Sequence, residues 1–183
     1  MAKIATVAEV LAFWFEESTP EQWFKKDDAF DATIKDRFEA TIVSAVSGKL
    51  DQWADNSDGC LALIIVLDQF TRNVYRNTPQ AFSGDEMALA LSLRCIDRGY
   101  LNHPHIDHRH FMLMPLMHSE DIAIQDMSLP LFAAHTREFI MEHAQRHRDI
   151  VARFGRFPHR NDILGRPTSP EEAEFLTQPG SSF

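Results

Sequence analysis

The stretch Cys60-Leu-Ala-Leu-Ile-Ile-Val-Leu-Asp-Gln-Phe-Thr-Arg-Asn73 decides between two fold classes. From Cys60 to Leu67 it is apolar on every side, so periodicity alone fits a buried strand and a buried helix equally well. The polar residues that follow continue the run without a turn signal, and this favours one long buried helix. Asp68 and Arg72 stand four residues apart, so on a helix they face the same side and can form an ion pair.

Helix signals recur in the rest of the chain. Thr6-Val-Ala-Glu9 and Ser169-Pro-Glu-Glu172 have the spacing of capping boxes, in which two side chains satisfy the first unpaired amides of a helix. No alternating strand pattern and no Asn-Gly hairpin signal competes with these helices. We predict the longest helix over Ser128–His147. Its inward face is expected to consist of Phe132, Phe139, Ile140 and Ala144.

The predicted fold class is therefore all-α, with roughly seven to nine helices. The chain has 183 residues and 44% hydrophobic content, enough for one core, so we expect a single domain over residues 1–183 with Gln178–Phe183 disordered. Short turns favour antiparallel helix pairs, stacked as a compact α–α superhelix or bundle. No helical-repeat consensus is visible in the sequence, so any repeats would be structural ones.

Charge and composition exclude several partners. The net charge of −9 and the pI near 5.4 argue against binding to nucleic acid, whose phosphates an acidic protein repels. The N-terminus lacks the pattern of a signal peptide, and the longest apolar run is too short to cross a bilayer, so we expect a cytoplasmic protein without a membrane partner. Cys60 and Cys95 each sit in an apolar stretch of apparent helix and are expected to be buried small hydrophobes, not a disulfide or a metal pair.

Three polar segments outside the regular pattern are candidates for a site. The first is the end of the long buried helix at Asp68–Asn73, and the second is the corner Met117-His-Ser-Glu-Asp121. The third is the loop Phe154-Gly-Arg-Phe-Pro-His-Arg-Asn161, which is rich in arginine and stiffened by its glycine and proline. Arginine presents a fork of donors that suits a carboxylate or a phosphate. The alternative for each segment is purely structural, with ion pairs and caps that join helices.

All nine histidines lie between His103 and His159. Their spacing invites a metal interpretation, but the glutamate of a His-Glu-x-x-His site is missing and the cysteines are far away in sequence. We therefore predict no metal and no cofactor.

Several long motifs together resemble the bacterial domain-of-unknown-function 924 family, from about Val7 to Leu176. They are Phe13-Trp-Phe15, Trp23-Phe24, the buried run into Asp68-Gln-Phe-x-Arg-Asn73, Met114-Pro-x-Met-His-Ser-Glu-Asp121, Phe154-Gly-Arg-Phe-Pro-His-Arg-Asn161 and Leu164-Gly-Arg166. The resemblance implies an all-α fold similar to tetratricopeptide-like superhelices, and no established activity. Thr71 departs from the proline that is usual in the family, and Leu113 from an aromatic residue.

The positions that match the family motifs supply the candidate site residues. The candidate catalytic residues are His118 and His159, for proton transfer, and Glu120, which is expected, as an alternative to Asp68, to orient one of these histidines. The candidates for ligand binding are Asp68, Arg72, Asn73, Asp121, Arg153, Arg156, Arg160 and Asn161. Gln69, Ser119 and His147 match the motifs as well.

Two functions are weighed against a purely structural polar network. One is a pocket for an anionic small molecule, with or without catalysis; neither a Gly-x-Ser-x-Gly nucleophile motif nor a phosphate-binding glycine loop is present, so no reaction is predicted. The other is a tetratricopeptide-like module that binds a peptide or a partner helix. The second function predicts an exposed aromatic residue, such as Trp53 or Tyr75, in a groove.

Overall fold

The computed structural model describes residues 3–182, and within them the chain forms helices and turns but no β-strand. The α-helices are α1 Val7–Ala12, α2 Pro20–Phe24, α3 Asp28–Val46, α4 Ser57–Ile64, α5 Thr71–Val74, α6 Asp85–Asp97, α7 Ile106–His118, α8 Ile122–His135, α9 Glu138–Phe154 and α10 Pro170–Leu176. A π-helical segment, Phe13–Glu17, extends α1, and another, Ile65–Phe70, joins α4 to α5. When α4, the π-helical segment Ile65–Phe70 and α5 are counted as one helix, residues 3–182 contain nine helices. The predicted all-α fold is confirmed.

The helix that the opening stretch predicts is the centre of the core. Every residue from Gly59 to Thr71 is buried, which explains why the sequence offers no polar face over this run. The helix packs against α1, α6 and α7, and its π-helical segment packs against α3. Large aromatic side chains surround it, and Phe70 contacts the rings of Phe13, Trp14 and Phe38.

The capping boxes predicted from the sequence are formed. At α1 the hydroxyl of Thr6 accepts the amide of Glu9, while the Glu9 carboxylate accepts the amide of Thr6. At α10 Ser169 and Glu172 exchange the same two bonds.

The prediction of one helix over Ser128–His147 is wrong. The chain leaves helical geometry at Thr136, which is extended (φ −127°, ψ 177°) and separates α8 from α9. The hydroxyl and the amide of Thr136 both donate to the carbonyl of Phe132, at 2.7 and 3.0 Å, so a local side-chain bond competes with helix continuation. The break lets α9 pack against α8. Phe139, expected to face inward, lies in the first turn of α9 and is 46% exposed.

A glycine brings the start of α6 against the π-helical segment. A Cβ added at Gly84 would lie 2.2 Å from the carbonyl oxygen of Leu67, so only glycine permits this approach. The next residue, Asp85, begins α6 and lies beside Arg72. Short π-helical segments inside α-helices are frequent at functional sites.

The C-terminal part of the chain folds back over the corner between α7 and α8. Gly155 ends α9 in the left-handed conformation (φ 69°), and a 3-10 turn over Pro158–Arg160 follows. Near the end, Ser181 is buried and its hydroxyl donates to the carbonyl of Leu176; Phe183, part of the segment predicted to be disordered, lies outside the described residues. In the part of the chain that is described, no helix is both long and apolar enough to cross a membrane.

Candidate functional site

A buried carboxylate–imidazole pair joins two of the three predicted polar segments. Asp68 lies in the π-helical segment with its side chain 1% exposed, and His118 ends α7. The Nδ1 atom of His118 lies 2.7 Å from Oδ1 of Asp68. The Asp68 carboxylate also accepts a bond from the side chain of Gln69 and forms an ion pair with Arg72. These donors satisfy a charge that would otherwise be costly to bury.

The charge states of this pair follow from their surroundings. Burial alone would raise the pKa of Asp68, but the charge of Arg72, together with the hydrogen bonds from His118 and Gln69, outweighs burial and holds that pKa below its usual range. Burial lowers the pKa of His118, and Asp68 only partly opposes this effect. An ionised carboxylate can only accept, so Nδ1 of a neutral His118 carries the proton. The Nε2 atom then carries the lone pair and has no hydrogen-bond partner among residues 3–182.

Arg72 is fully engaged in structural contacts. Its guanidinium forms two bonds to the carboxylate of Asp85, at 2.8 and 3.0 Å, and one to the carbonyl oxygen of Asp68 at 2.8 Å. The predicted ion pair with Asp68 is also present, at 3.0 Å. Arg72 therefore links the π-helical segment to the start of α6 and has little capacity left for a ligand.

Arg160 differs from Arg72 because its charge is poorly compensated. Its guanidinium lies between the rings of Phe82 and Phe157, at 4.9 and 4.6 Å from their centroids, and its side chain is 8% exposed. One terminal nitrogen donates to the carbonyl of His118 at 3.0 Å, and the other is 3.6 Å from Asp85. The buried Nε atom has no hydrogen-bond partner in residues 3–182. Burial, and next the charge of Arg72, lower the pKa of Arg160 to about 10.

Glu120 holds the third segment against the corner. Its carboxylate accepts two bonds from Arg166, at 2.7 and 3.1 Å, and a third from the amide of Phe157 at 2.8 Å. Burial favours the neutral acid, but the Arg166 bond and the Phe157 amide outweigh it, so the pKa of Glu120 lies below its usual value. Glu120 is thus an ionised carboxylate with its own cation.

These contacts surround a cleft of about 290 Å³. All three predicted polar segments contribute to it, together with the start of α6. The lining residues are Asp68, Asp85, Glu86, Leu89, Pro115, His118, Ser119, Glu120 and Arg160. Glu86 is exposed and forms no ion pair within residues 3–182.

Apart from Arg72, four of the predicted ligand-binding residues do not line the cleft and are engaged elsewhere. The amide of Asn73 donates to Asp31, and Asp121 caps α8 by accepting the amide of Ala123. Arg153 pairs with Glu171 at the surface, whereas Arg156 forms two bonds to Glu172, at 2.7 and 2.8 Å. Arg156, a predicted ligand-binding residue, is therefore absent from the cleft.

A fifth predicted residue, Asn161, belongs to the support of the loop. It is fully buried, accepts a bond from Arg166 and donates to Glu172. Through these contacts the ion pairs of Glu120 and of Glu172 form one network behind the cleft.

Two further histidines lie close behind the cleft. The ring of His147 is centred 6.2 Å from that of His118 and 5.6 Å from that of Phe157. Burial, followed by the charge of His118, lowers the pKa of His147 to about 3. His159, a candidate for proton transfer, contacts the ring of Phe157, and burial together with the charge of Arg160 lowers its pKa to about 4. His159 does not line the cleft.

Sequence reasoning missed several residues that build the site. Asp85, Glu86 and Phe82 surround the start of α6, where no motif drew attention. Arg166 was noticed only as part of a family motif, and it is the partner of Glu120. A local signal did exist for Asp85, since an acid just after a glycine at the start of a helix is typical of an N-terminal turn.

The other expectations concern metal ions and a peptide groove. The rings of His103 and His108 stack with their centroids 4.3 Å apart, and the ring of His105 is tilted against both. No group of three or more His, Cys, Asp or Glu within the described residues is arranged to hold a metal ion. Trp53 and Tyr75 are partly buried against the core instead of exposed.

The fold and the cleft define a class of protein: an all-α protein in which a buried aspartate–histidine pair and a buried arginine border one cleft. The chain belongs to the family of bacterial proteins of unknown function DUF924, whose model matches residues 10–180, so the resemblance inferred from the sequence is confirmed. A solved structure, that of the protein of unknown function ATU0120 from Agrobacterium tumefaciens, is similar to this chain. The two are 40% identical, with 93% of this chain and 96% of that chain covered and a TM-score of 0.88. A comparison with curated proteins finds no match.

Proposed function

We propose that the cleft binds a small molecule with one anionic group and that His118 transfers a proton to or from it. The observation that carries the proposal is the orientation of His118. Its Nδ1 atom is held by the buried carboxylate of Asp68, while Nε2, on a residue that lines the cleft, has no hydrogen-bond partner in the described residues 3–182. A neutral imidazole oriented in this way by a carboxylate is suited to act as a general base.

Arg160 is the residue that we propose for the anionic group. Within residues 3–182 it is the only arginine that lines the cleft, and its guanidinium carbon lies 4.9 and 4.6 Å from the ring centroids of Phe82 and Phe157, which leaves the edge of the group for a ligand. The carboxylates of Asp68 and Asp85 share Arg72, and that of Glu120 pairs with Arg166. Arginine binds carboxylates through the N–H donors along the edge of its planar guanidinium group.

The charge of the cleft favours a monoanion over a dianion. Glu86 lines the cleft without an ion-pair partner in residues 3–182, and it would repel a second negative charge. We therefore propose a small monocarboxylate, in preference to a phosphate ester or a dicarboxylate.

A thermal-shift screen tests the binding step. The panel contains small monocarboxylates, dicarboxylates and phosphate monoesters, and the proteins are wild type, Arg160→Lys and Arg153→Lys. Arg153 is a matched control because it pairs with Glu171 outside the cleft. We expect a monocarboxylate to raise the melting temperature of wild type and of Arg153→Lys, and to lose this effect in Arg160→Lys. A panel that stabilises none of the proteins, or all of them equally, contradicts the proposal.

Hydrogen exchange tests the proton-transfer step separately. A monocarboxylate found in the screen is incubated in D₂O with wild type or with His118→Asn, and NMR follows deuterium at the carbon next to its carboxylate. We expect exchange with wild type and at least about a hundredfold slower exchange with the variant, which is the usual size of a general-base contribution. Binding without exchange in wild type would show that the protein binds the ligand but transfers no proton, which would contradict the role proposed for His118.

The alternative, a peptide-binding module, has no comparable support. It relied on an exposed aromatic residue, and both Trp53 and Tyr75 pack against the core. The tetratricopeptide-like form of the helix stack stays a prediction.

A further inference from the structure

The only two cysteines of the chain lie in contact inside the core. Cys60 is in α4 and Cys95 is in α6, and both are fully buried. Their Sγ atoms are 3.3 Å apart, and the Sγ of Cys60 is also 3.6 Å from the carbonyl oxygen of Leu91. Both are free thiols. A disulfide bond has a length of about 2 Å, so the sulfurs need to approach by only about 1 Å to be joined.

We propose that Cys60 and Cys95 are a modification site, which a small hydroperoxide converts to an intramolecular disulfide. The thiolate of Cys60 attacks one peroxide oxygen, so an S–O bond forms, the O–O bond breaks and the leaving hydroxide takes up a proton. The sulfur of Cys95 then attacks the sulfur of Cys60, which forms the S–S bond and releases water with the proton of Cys95. Two thiols are oxidised, and one peroxide is reduced to two waters, or to water and an alcohol.

The surroundings of the two thiols indicate which one attacks the peroxide and which one then forms the disulfide. Either thiol can donate in the Sγ–Sγ contact; with Cys95 as the donor, this bond outweighs burial and lowers the pKa of Cys60. The same contact, with burial, raises the pKa of Cys95. The thiolate is the reactive form, so Cys60 is the attacking residue and Cys95 resolves the intermediate. Because both are buried, the oxidant has to enter through local opening, which makes a small peroxide the suitable class.

The bond would tie together the two elements that frame the cleft. Cys60 lies in the helix that continues into the π-helical segment with Asp68, and Cys95 lies in α6, which begins at Asp85. The disulfide would enclose the chain between them, including Arg72. We therefore expect the oxidised protein to melt at a higher temperature, because the cross-link restricts the unfolded chain.

Mass spectrometry of the whole chain tests the proposal. Wild type is treated with hydrogen peroxide, quenched with catalase, unfolded in guanidinium and alkylated, and the cysteine peptides are mapped so that oxidised methionines do not interfere. We expect the peptides of Cys60 and Cys95 to be linked, to resist alkylation and to separate after dithiothreitol. Two alkylated cysteines, sulfinic acids without a link, or a disulfide between two chains would each overturn the proposal.

Single variants test the order of the steps. In Cys95→Ala the sulfenic acid of Cys60 has no resolving thiol, so we expect it to be trapped by dimedone. In Cys60→Ala, dimedone labelling of Cys95 should be at least severalfold slower. Both variants are first checked for a cooperative thermal transition. Equal labelling of the two variants would overturn the assignment of Cys60 as the attacking thiol.

Discussion

At position 68 a carboxylate lies where the preceding run of apolar residues would place another aliphatic side chain. Its burial is tolerated because His118 and Gln69 donate to it and Arg72 forms an ion pair with it. A buried polar network of this kind stabilises the fold only while every member is satisfied. The same contacts orient the imidazole of His118, so one residue serves both the stability of the helix and the proposed chemistry.

Replacing Asp68 tests its structural part. Asp68→Asn keeps the volume but removes the charge, which leaves Arg72 with one carboxylate in a buried place. We expect a loss of about 3–5 kcal/mol in the free energy of unfolding, as for other broken buried pairs, measured by urea denaturation. Asp126→Asn breaks a surface pair with Arg148 and should cost much less. Equal losses in the two variants would show that Asp68 is not held as described.

Arg156 is predicted to be structural and not a ligand residue. It holds Glu172, which is 3% exposed and also caps the start of α10. Arg156→Ala should lower the melting temperature because it leaves that carboxylate without its cation. The stabilisation by a monocarboxylate should persist at the lower temperature, measured in the same thermal-shift format. If a folded Arg156→Ala protein were no longer stabilised by the monocarboxylate, Arg156 would have to be counted among the ligand-binding residues.

At the scale of elements, the contact between α6 and the π-helical segment decides where Asp85 lies. Gly84→Ala would place a methyl group 2.2 Å from the Leu67 carbonyl oxygen, so the start of α6 has to move. We expect a loss of about 1–3 kcal/mol, the usual cost of overpacking, in urea denaturation. Ser83→Ala, at an exposed position next to it, should be nearly neutral. A stable Gly84→Ala protein would mean that the two elements are further apart.

Helix starts could be predicted from the sequence because their signals are local. Thr6 with Glu9 and Ser169 with Glu172 cap helices through residues three apart, which a reader of the sequence can see. The break at Thr136 could not be predicted in the same way, because the pattern on both sides of it is helical. There the bond of the threonine hydroxyl to the carbonyl of Phe132 decides the outcome.

The candidate site was harder to predict, because it depends on which charges meet over long distances in sequence. The sequence indicates that Arg72, Arg156 and Arg160 can bind anions, but it does not tell which acids lie beside each. Arg156 meets an acid on α10, and Arg72 meets one on α6, so only Arg160 is left with a poorly compensated charge. Each of the three polar segments contributes at least one residue to the cleft, but seven of the eleven candidate residues do not line it.

At the scale of the whole molecule, buried histidines predict a marked sensitivity to acid. Burial is the main cause that lowers the pKa of His108 to about 4 and of His110 and His147 to about 3. Unfolded imidazoles titrate near pH 6.5, so between about pH 6.5 and these values the unfolded chain binds protons that the folded chain does not. The free energy of unfolding should therefore fall as the pH is lowered, by about 1.4 kcal/mol per pH unit for each such histidine.

Urea denaturation at several pH values checks this prediction. His147→Gln should reduce the slope of stability against pH between about pH 4 and 6 by about 1.4 kcal/mol per unit, since one titrating group is removed. Ser128→Ala removes a buried group that does not titrate and should leave the slope unchanged. A flat profile in wild type would contradict the burial of these imidazoles.

The tautomer of His118, measured by long-range ¹H–¹⁵N NMR at neutral pH, tests most directly whether Asp68 prepares this imidazole for proton transfer. We predict a neutral ring with the proton on Nδ1 and an unprotonated Nε2, and we expect the Nδ1 proton signal to change in Asp68→Asn. A ring with its proton on Nε2, or one that is doubly protonated at neutral pH, would contradict the proposed role of His118 as a base at the cleft.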